Sequence, residues 1–524
     1  MRDFHSPGRS TVYATNGMAA TSHPLAASVA IDTLKAGGNA MDAAIAGAVL
    51  LGVCEPQMTG LGGDLFVLFT DPGTGEIRGL NGSGRAPAGM DAAALREAGH
   101  RTVPVDGAHS VTVPGAVDAF CHLSGTWGKL GLDRLLAPAI AYTETGVPVA
   151  PRTAFDWALK AGNLTGAARE TYLVNGSVPA AGTLFSHPGQ AEVLRRIARD
   201  GRAGFYEGEV AEDMVRSLNA AGGAHTMADF AAAACTDTTP VTGGYGPFEV
   251  IEHPPNGQGA AAILLMNILK EFNLAEIPQG SAKRVHLEAE ATKLAYDARN
   301  RFIADPAHTG RLDYLMAPES ARALAALIDP AKAMDDPVRI SEQVHKDTIY
   351  ITVVDRNRMA VSMIYSIFRS FGSGLASDKF GILFHNRGSG FSLEEGHPNE
   401  AGPGKRPMHT IIPGFLRTSD MLMPFGVMGG PYQAAGHARF VTNLADYGLE
   451  LQDALDAPRS FTWQGELRLE RGYDSGVAAE LSDMGHNVVV PDEPIGGAQA
   501  IRIRSDGVLE GASDPRKDGC ALGY

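Results

Sequence analysis

The sequence predicts an α+β protein in which helices pack against β-sheets. Apolar residues recur at helical spacing in the first third and in the middle of the chain, whereas β-branched and aromatic residues dominate from residue 348. Hydrophobic residues make up 44% and charged residues 20% of the 524 residues, which is typical of a globular protein. Length alone suggests two or three domains. No repeat, low-complexity tract or long linker interrupts the chain, so its two ends are expected to fold together.

Two helices and a strand are predicted near the N-terminus. Residues 24–35 form an apolar helical stripe that Gly37 ends, because glycine adopts the left-handed conformation without strain. Asn39 is a suitable cap for a second helix over 40–53, whose small residues indicate close packing. The short apolar run 65–69 is typical of a buried strand.

The middle of the chain is mostly helical and is followed by a β-hairpin. An apolar helix is predicted over 260–269, and a second helical stripe covers 287–302. Residues 348–355 are mostly β-branched or aromatic, and 359–367 form a second strand after a short connection. We therefore expect a hairpin that begins at Thr348.

The charge balance and the cysteines exclude several function classes. With 44 basic and 59 acidic residues the net charge is −15, which opposes binding to a nucleic-acid backbone. The four cysteines are far apart and form no C-x-x-C pair, so neither a disulfide framework nor a zinc cluster is expected. Residues 1–17 lack a signal-peptide core, and the apolar run 43–54 is too short to cross a bilayer. We expect a cytoplasmic protein without nucleic-acid or membrane partners.

Most short motifs that could carry chemistry have an ordinary structural explanation. The serine-hydrolase pattern G-x-S-x-G does not occur, and residues 372–377 imitate a dinucleotide fingerprint without a surrounding βαβ unit. His286 and Glu290 share a helix face at i and i+4, but the sequence indicates no further ligand nearby. We interpret these two residues as part of a solvated face. Neither a metal nor a cofactor is expected.

Thr348 is a residue whose role local sequence cannot decide. A threonine that opens a strand after an aspartate is usually only a good β-former. A threonine freed at a chain terminus carries a hydroxyl nucleophile and an amine base together. Motifs along the rest of the chain favour the second interpretation.

A series of ordered motifs runs along most of the chain. The first are G-M-A-A-T at 17–21, L-K-A-G-G-N-A-M-D-A-A at 34–44, E-P-Q at 55–57 and G-L-G-G at 60–63. Next come P-P-N-G-Q-G at 254–259, E-A-T-K-L-A-Y-D at 290–297 and D-T-I-Y-I-T-V-V-D at 347–355. The last are F-G-S-G at 371–374, P-G-K-R-P at 403–407 and G-A-S-D-P-R at 511–516. In order and content these motifs resemble the gamma-glutamyltranspeptidase family.

The resemblance implies a four-layer αββα sandwich, the fold of N-terminal-nucleophile hydrolases. It also implies self-cleavage between Asp347 and Thr348, which divides the chain into a large fragment, 1–347, and a small fragment, 348–524. Both fragments would form one folded unit, a heterodimer, and two such units could pair into a dimer of heterodimers. The implied fold replaces the several domains that length suggests.

The resemblance also assigns catalytic roles. Thr348 would be the nucleophile, and its freed amine, with a pKa near about 8, would be the base for its own hydroxyl. Ser366 aligns with the threonine that hydrogen-bonds the nucleophile in the family. The oxyanion-hole turn aligns with Gly429, Gly430, Tyr432 and Gln433. In that turn the backbone amides of the last two residues would donate to the developing negative charge.

Residues that bind a gamma-glutamyl group in the family are missing here. The arginine that holds the α-carboxylate aligns with Ser83, although Arg85 lies two residues on. The aspartate that holds the α-amine aligns with Gly390, and an asparagine of the pocket aligns with Phe368. Each loss removes a polar or charge-assisted hydrogen bond, so gamma-glutamyl affinity should fall by several kcal/mol in all.

Further substitutions indicate a divergent branch of the family, the glutathione hydrolase-like and oxamate amidohydrolase-like branch. His409 and Thr410 replace the paired serines of the substrate pocket. Arg85, Arg369 and Arg387 are candidates for a replacement carboxylate anchor. Each arginine taken singly is more often an ordinary structural or surface residue.

The prediction is therefore a self-processing amidohydrolase that cleaves a small carboxylate-bearing amide through a threonyl acyl-enzyme. Water or an amine would accept the acyl group. Genuine gamma-glutamyl hydrolysis and transfer, with glutathione as substrate, is the alternative within the enzyme class. A pseudoenzyme that only binds a metabolite is a second alternative, and retention of Thr348, Ser366 and the glycine turns argues against it.

Overall fold

The structure, a computed structural model, describes residues 5, 8–335 and 348–524. Its strands are β1 (Val12–Ala14), β2 (Met18–Thr21), β3 (Asp64–Thr70), β4 (Ile77–Gly82), β5 (Val147–Pro148), β6 (Leu184–Phe185), β7 (Thr236–Thr238), β8 (Val241–Tyr245), β9 (Phe248–Glu252), β10 (Ile349–Val354), β11 (Ala360–Ser366), β12 (Gly414–Arg417), β13 (Met421–Met428), β14 (Ser460–Trp463), β15 (Glu466–Leu469), β16 (Val488–Val489), β17 (Gly497–Arg504), β18 (Leu509–Ser513) and β19 (Ala521–Gly523).

The α-helices are α1 (Pro24–Lys35), α2 (Ala40–Cys54), α3 (Ala92–Glu97), α4 (Ala116–Trp127), α5 (Leu132–Thr145), α6 (Pro151–Lys160), α7 (Gly166–Tyr172), α8 (Pro188–Asp200), α9 (Ala203–Tyr206), α10 (Gly208–Ala220), α11 (Met227–Ala231), α12 (Gly259–Leu269), α13 (Ala282–Phe302), α14 (Leu312–Met316), α15 (Pro318–Ala325), α16 (Tyr432–Ala445), α17 (Leu451–Asp456) and α18 (Val477–Asp483). A short 3-10 helix covers Arg387–Gly390. No helix within the described ranges combines the length and apolarity needed to cross a bilayer.

Two antiparallel seven-stranded sheets form the centre of the molecule. The first sheet has the strand order β19-β2-β10-β11-β3-β4-β7, and the second has the order β1-β18-β17-β13-β12-β9-β8. Strands β10 and β11 are the predicted hairpin, in which Ile349 pairs with Tyr365. The two ends of the chain meet as predicted, because β19 pairs with β2 and β1 pairs with β18.

Alternation along each strand separates the layers of the fold. On β10, Ile351 packs with the helices α1, α2, α4 and α5, whereas Tyr350 faces the second sheet and packs with Met428. On the second sheet, Phe425 and Val427 pack with the helices α12, α13 and α16. The order is thus helices, sheet, sheet, helices, and the predicted four-layer αββα sandwich is confirmed.

The first two helices, α1 and α2, lie where the local sequence predicts them. Helix α1 has the predicted bounds, and α2 extends the predicted helix by one residue to Cys54. Asn39 and Asp42 form a reciprocal capping box, in which each side chain accepts the other residue's backbone N–H at 3.0 Å. The amide of Asn39 also donates to the backbone carbonyl of Trp127 at 2.6 Å, which ties α2 to α4.

Removing this cap should measurably destabilise the protein. We expect Asn39→Ala to lower the free energy of unfolding by about 1–2 kcal/mol, because one buried and one partly buried hydrogen bond are lost at the start of α2. The shift in the denaturation midpoint in urea measures the loss. Asp91→Ala removes the cap of the short, exposed helix α3 and is the control. An effect of Asn39→Ala no larger than that of the control would contradict this interpretation.

Candidate active site

Thr348 directly precedes β10 in the middle of the first sheet. Its side chain is buried, and its Oγ1 lies 3.3 Å from Oγ of Ser366, the last residue of β11. In the antiparallel register of this hairpin, Ile349 pairs with Tyr365. Extending the register by one residue brings Thr348 opposite Ser366, so their two hydroxyls lie side by side. The structure therefore brings together the predicted nucleophile and its predicted partner.

Two N–H groups converge on the hydroxyl of Ser366. The backbone amide of Phe368 donates to Oγ at 2.8 Å. The guanidinium of Arg387 donates to the same oxygen through Nη2 at 3.4 Å. The position of Ser366 is thus fixed by a backbone group, a side-chain cation and the neighbouring hydroxyl of Thr348.

Asp64, the first residue of β3, is a buried carboxylate next to these hydroxyls. Arg387 donates to its two oxygens at 2.7 and 3.2 Å, and Nε2 of His409 lies 2.7 Å from Oδ2. All three side chains are wholly buried. Burial by itself would raise the pKa of Asp64, but the charge of Arg387 and the contacts with His409 hold that pKa well below its usual value. Asp64 is therefore ionised and paired.

His409 is neutral in this cluster. Burial first, and then the charge of Arg387, lowers the pKa of His409 to about 3. Its Nδ1 accepts the backbone N–H of Ile411 at 3.2 Å, so Nε2 carries the proton and donates it to Asp64. A second histidine, His385, lies on the other side with Nδ1 3.5 Å from Oδ2 of Asp64.

The aromatic ring of Phe368 packs against the Arg387 guanidinium. The guanidinium carbon of Arg387 lies 4.1 Å from the centroid of the Phe368 ring, and that of Arg369 lies 5.6 Å from it. The backbone of Phe368 has a φ of 75°, which is rare for a bulky residue and indicates a strained turn. Thr410 completes the surroundings, because its Oγ1 accepts Nη1 of Arg387 at 3.3 Å.

The turn that follows β13 contains Gly429 and Gly430, whose φ angles are 128° and 54°. Tyr350, two residues after Thr348, packs directly on Gly426 and brings this turn near the nucleophile strand. The amides of Tyr432 and Gln433 donate at 3.1 Å to the carbonyls of Gly429 and Gly430, within the first turn of α16. Their role as oxyanion donors stays a prediction, and it requires these amides to be shared with the substrate.

Two other predicted substrate residues, Gly390 and Arg85, are not part of the contacts described above. Gly390 is buried, and a Cβ atom there would lie 2.8 Å from the carbonyl oxygen of Met408. Arg85 is half-exposed and contacts Asp305 at 3.3 Å and the carbonyl of Gly404 at 2.9 Å. It lines a separate cavity of about 300 Å³. The predicted cleavage residue Asp347 lies outside the described residues.

Sequence reasoning missed Asp64 and His385. The signal for Asp64 was an acidic residue directly before the apolar run 65–69, where the whole strand is buried and a charge needs a partner. Its partner Arg387 lies 323 positions later, so no local pattern could connect the two.

The interpretation of His286 and Glu290 as a solvated face is wrong. Both are wholly buried, because a later part of the chain covers this side of α13. His286 contacts Nε2 of His486 at 2.8 Å and the carbonyl of Asp329 at 2.8 Å. Glu290 accepts the ammonium of Lys293 at 2.8 Å and a backbone amide. The possible ligand atoms of His286, Glu290 and His486 lie within 4.8 Å of one another. These side chains already form the hydrogen bonds given above, and the positive charge of the Lys293 ammonium disfavours a metal cation beside Glu290.

Known proteins resemble this chain over nearly its whole length. The family model described as Gamma-glutamyltranspeptidase matches residues 26–524. The chain is 36% identical to the oxamate amidohydrolase proenzyme of Klebsiella pneumoniae, over 97% of this chain and 99% of the relative. It is 34% identical to the glutathione hydrolase-like YwrD proenzyme of Bacillus subtilis, over 98% of this chain and 99% of that relative. The crystal structure of a cephalosporin acylase from Bacillus halodurans superposes with a TM-score of 0.91 at 36% identity, covering 100% and 99% of the two chains.

The neutral state of His409 predicts a pH dependence of stability. The folded-state pKa of about 3 lies below the unfolded value of about 6.5, so between these pH values only the unfolded chain takes up this proton. Stability should therefore fall as the pH falls through this range. The stability advantage of the wild type over His409→Asn should shrink by about 1.4 kcal/mol per pH unit between pH 6 and 4.

Denaturant unfolding of both proteins at several pH values measures this difference. His409→Gln is a second replacement without a titratable group, and it should give the same pH slope if loss of the imidazole is the cause. An advantage that stays constant with pH would show that His409 takes up its proton equally in the folded and unfolded chains.

Proposed function

The chain belongs to the gamma-glutamyltranspeptidase family, and from that premise we propose that it cuts its own backbone between Asp347 and Thr348 and then uses Thr348 as the nucleophile of an amidohydrolase. The observation that carries this proposal is the buried contact of the Thr348 and Ser366 hydroxyls at 3.3 Å. The Ser366 hydroxyl that contacts Thr348 in turn accepts an N–H of the Arg387 guanidinium at 3.4 Å, so the threonine belongs to a polar network rather than to an apolar strand end.

The proposed reaction needs no group beyond the processed chain. In the precursor the Thr348 hydroxyl attacks the Asp347 carbonyl, and the peptide C–N bond breaks, which gives an ester and a free threonine amine. Water then hydrolyses the ester and releases the Thr348 hydroxyl and the Asp347 carboxylate. That amine, with a pKa near about 8, then takes the proton of the Thr348 hydroxyl as the oxygen attacks the substrate carbonyl. Collapse of the tetrahedral intermediate transfers the proton to the leaving amine and leaves an acyl-enzyme ester. Water, or an acceptor amine, attacks the ester and restores the hydroxyl.

Negative charge on the tetrahedral intermediate would be stabilised at the start of α16. Helix N-termini carry a partial positive charge and unpaired N–H groups. The amides of Tyr432 and Gln433 occupy the first two positions of this helix, directly after the turn of Gly429 and Gly430. Both amides also donate to the carbonyls of Gly429 and Gly430 at 3.1 Å, so the proposed role requires them to be shared with the oxyanion.

The proposed substrate is a small amide that bears a carboxylate, rather than a gamma-glutamyl compound. A side chain at position 390 would collide with the Met408 carbonyl, so the aspartate that binds the α-amine in the family has no counterpart here. The ring of Phe368 lies against the Arg387 guanidinium, where the family has a polar asparagine. The relatives named oxamate amidohydrolase and cephalosporin acylase support an amide substrate. Arg369, whose guanidinium carbon lies 5.6 Å from the centroid of the Phe368 ring, favours an anionic one.

We propose that the two fragments remain associated after cleavage as a heterodimer. In the first sheet β10 of the small fragment lies between β2 of the large fragment and β11 of the small fragment. The hydrogen-bond ladders of the sheet would therefore hold the cleaved chains together. A dimer of these heterodimers and a cytoplasmic location remain predictions.

The first test is processing. We expect Thr348→Ala to remain a single chain, because the attacking hydroxyl is gone, whereas the wild type should yield two fragments on denaturing electrophoresis. Mass spectrometry should place the new amino terminus at Thr348. Thr352→Ala removes a buried threonine from the same strand and is the matched control, which should still be cut. An active wild-type preparation with an intact bond between 347 and 348 would refute the proposal.

The second test is substrate preference. Oxamate and glutaryl amides should be hydrolysed with a kcat/KM at least about tenfold higher than that of a gamma-glutamyl anilide, since the charged partners of the gamma-glutamyl group are missing. Release of ammonia or amine measures each rate. The Thr348→Ala variant gives the background. A gamma-glutamyl substrate that is the fastest by a wide margin would contradict the interpretation of Gly390 and Phe368.

A further inference from the structure

We propose that Tyr350 and Ser362 are positioning residues, whose hydroxyls join the two central sheets and thereby set the distance between Thr348 and the proposed oxyanion turn. This turn contains Gly429 and Gly430 and leads into α16. The inference rests on the proposed function, because it concerns the placement of two parts of the same site. Tyr350 and Ser362 are wholly buried and act through the backbone of their strands, without touching the substrate.

Two hydrogen bonds in series cross from the first sheet to the second. The hydroxyls of Tyr350 on β10 and Ser362 on β11 lie 2.8 Å apart. Ser362 Oγ donates in turn to the backbone carbonyl of Phe425, on β13 of the second sheet, at 3.1 Å. A carbonyl only accepts and a serine hydroxyl has one proton, so the Tyr350 hydroxyl donates to Ser362. Because the last acceptor is a backbone atom, this hydroxyl bridge fixes strand β13 itself rather than a side chain.

Close packing of the Tyr350 ring sets the spacing at the same point. A Cβ atom at Gly426 would lie 2.4 Å from a carbon of this ring, which is too close for any other side chain. Gly426 lies inside the regular strand β13, so the ring explains why a glycine occupies this position. Phe66 and Met428 belong to the same buried cluster as Tyr350. The ring therefore fixes how closely the strands approach, and the hydroxyl bridge fixes their alignment.

The hydroxyl bridge connects the two segments that the proposed reaction must hold together. Tyr350 is the second residue of β10, and Thr348 directly precedes this strand. At the other end, Gly429 directly follows β13. Each of these strands is paired on both sides within its sheet, so neither can bend freely. A shift of one strand against the other would move Thr348 relative to the oxyanion donors, and a misplacement of about 1 Å can slow a reaction by about 100-fold.

The first experiment compares Tyr350→Phe with Tyr206→Phe. Tyr350→Phe removes one oxygen atom and keeps the ring against Gly426, so kcat should fall by about fivefold or more while KM changes by less than about twofold. Tyr206 is equally buried, lies in α9 outside both sheets, and donates to the carbonyl of Pro114 at 2.7 Å. Both variants should melt at a lower temperature, but Tyr206→Phe should keep the wild-type kcat. A wild-type kcat in Tyr350→Phe would overturn the proposal.

The second experiment breaks the hydroxyl bridge from its other end. Ser362→Ala should lower kcat as Tyr350→Phe does, and it serves as the test if Tyr350→Phe does not fold. The double variant should lose no more kcat than the more affected single variant, because either change alone already breaks the bridge. Losses that multiply in the double variant would show that the two hydroxyls act separately, and this result would also overturn the proposal.

Failure of this inference can be distinguished from failure of the proposed function. Each protein is tested for cleavage before Thr348, and kcat is calculated per cleaved chain, so that slower processing does not count as slower turnover. A wild type that is neither cut nor active refutes the proposed function itself. An active wild type with an unchanged kcat in Tyr350→Phe refutes only the positioning role of the hydroxyl bridge.

Discussion

The buried pair of Asp64 and Arg387 is the interaction around which the candidate active site is arranged. A charge that is moved from water into the interior is stabilised only when a partner and hydrogen bonds replace the lost solvent. Asp64 meets this requirement with Arg387 and His409, which come from two different turns in the part of the chain that follows Thr348. The requirement therefore holds these turns against β3. The same contacts place a guanidinium next to Ser366, so residues from both sides of the proposed cleavage point form the candidate site.

The arrangement of strands explains how such a site can tolerate a cut chain. In the first sheet β19, β10 and β11 follow the proposed cleavage point in the chain, whereas β2, β3, β4 and β7 precede it. A break before β10 removes one covalent link but leaves the ladders on both sides of this strand in place. The proposed new terminus would then lie in the middle of a sheet, where backbone motion is small. A catalytic amine gains from this rigidity, because it must stay close to its own hydroxyl.

Local sequence signals predicted much of the fold and little of the charge network. The capping box at Asn39 and the hairpin 348–367 follow from neighbouring residues, and both are present. The αββα layers and the pairing of Thr348 with Ser366 needed the family resemblance, because no periodicity reveals which strands become neighbours. Asp64 was missed since its partner Arg387 is distant in sequence. The prediction that His286 is exposed was wrong for a related reason, because the segments that cover α13 come from elsewhere in the chain.

The hydroxyl pair is positioned by strands and the predicted substrate residues lie in turns, so catalysis and specificity can change separately. The hydroxyls of Thr348 and Ser366 are placed by the register of two central strands, and a shift of one residue there would reverse every buried side chain. The predicted substrate-binding positions lie instead in turns, such as the strained turn at Phe368 and the 3-10 helix that ends at Gly390. Turns accept new side chains without disturbing a sheet. A family member can therefore lose its gamma-glutamyl contacts, keep the hydroxyl pair, and remain an amidohydrolase with a different substrate.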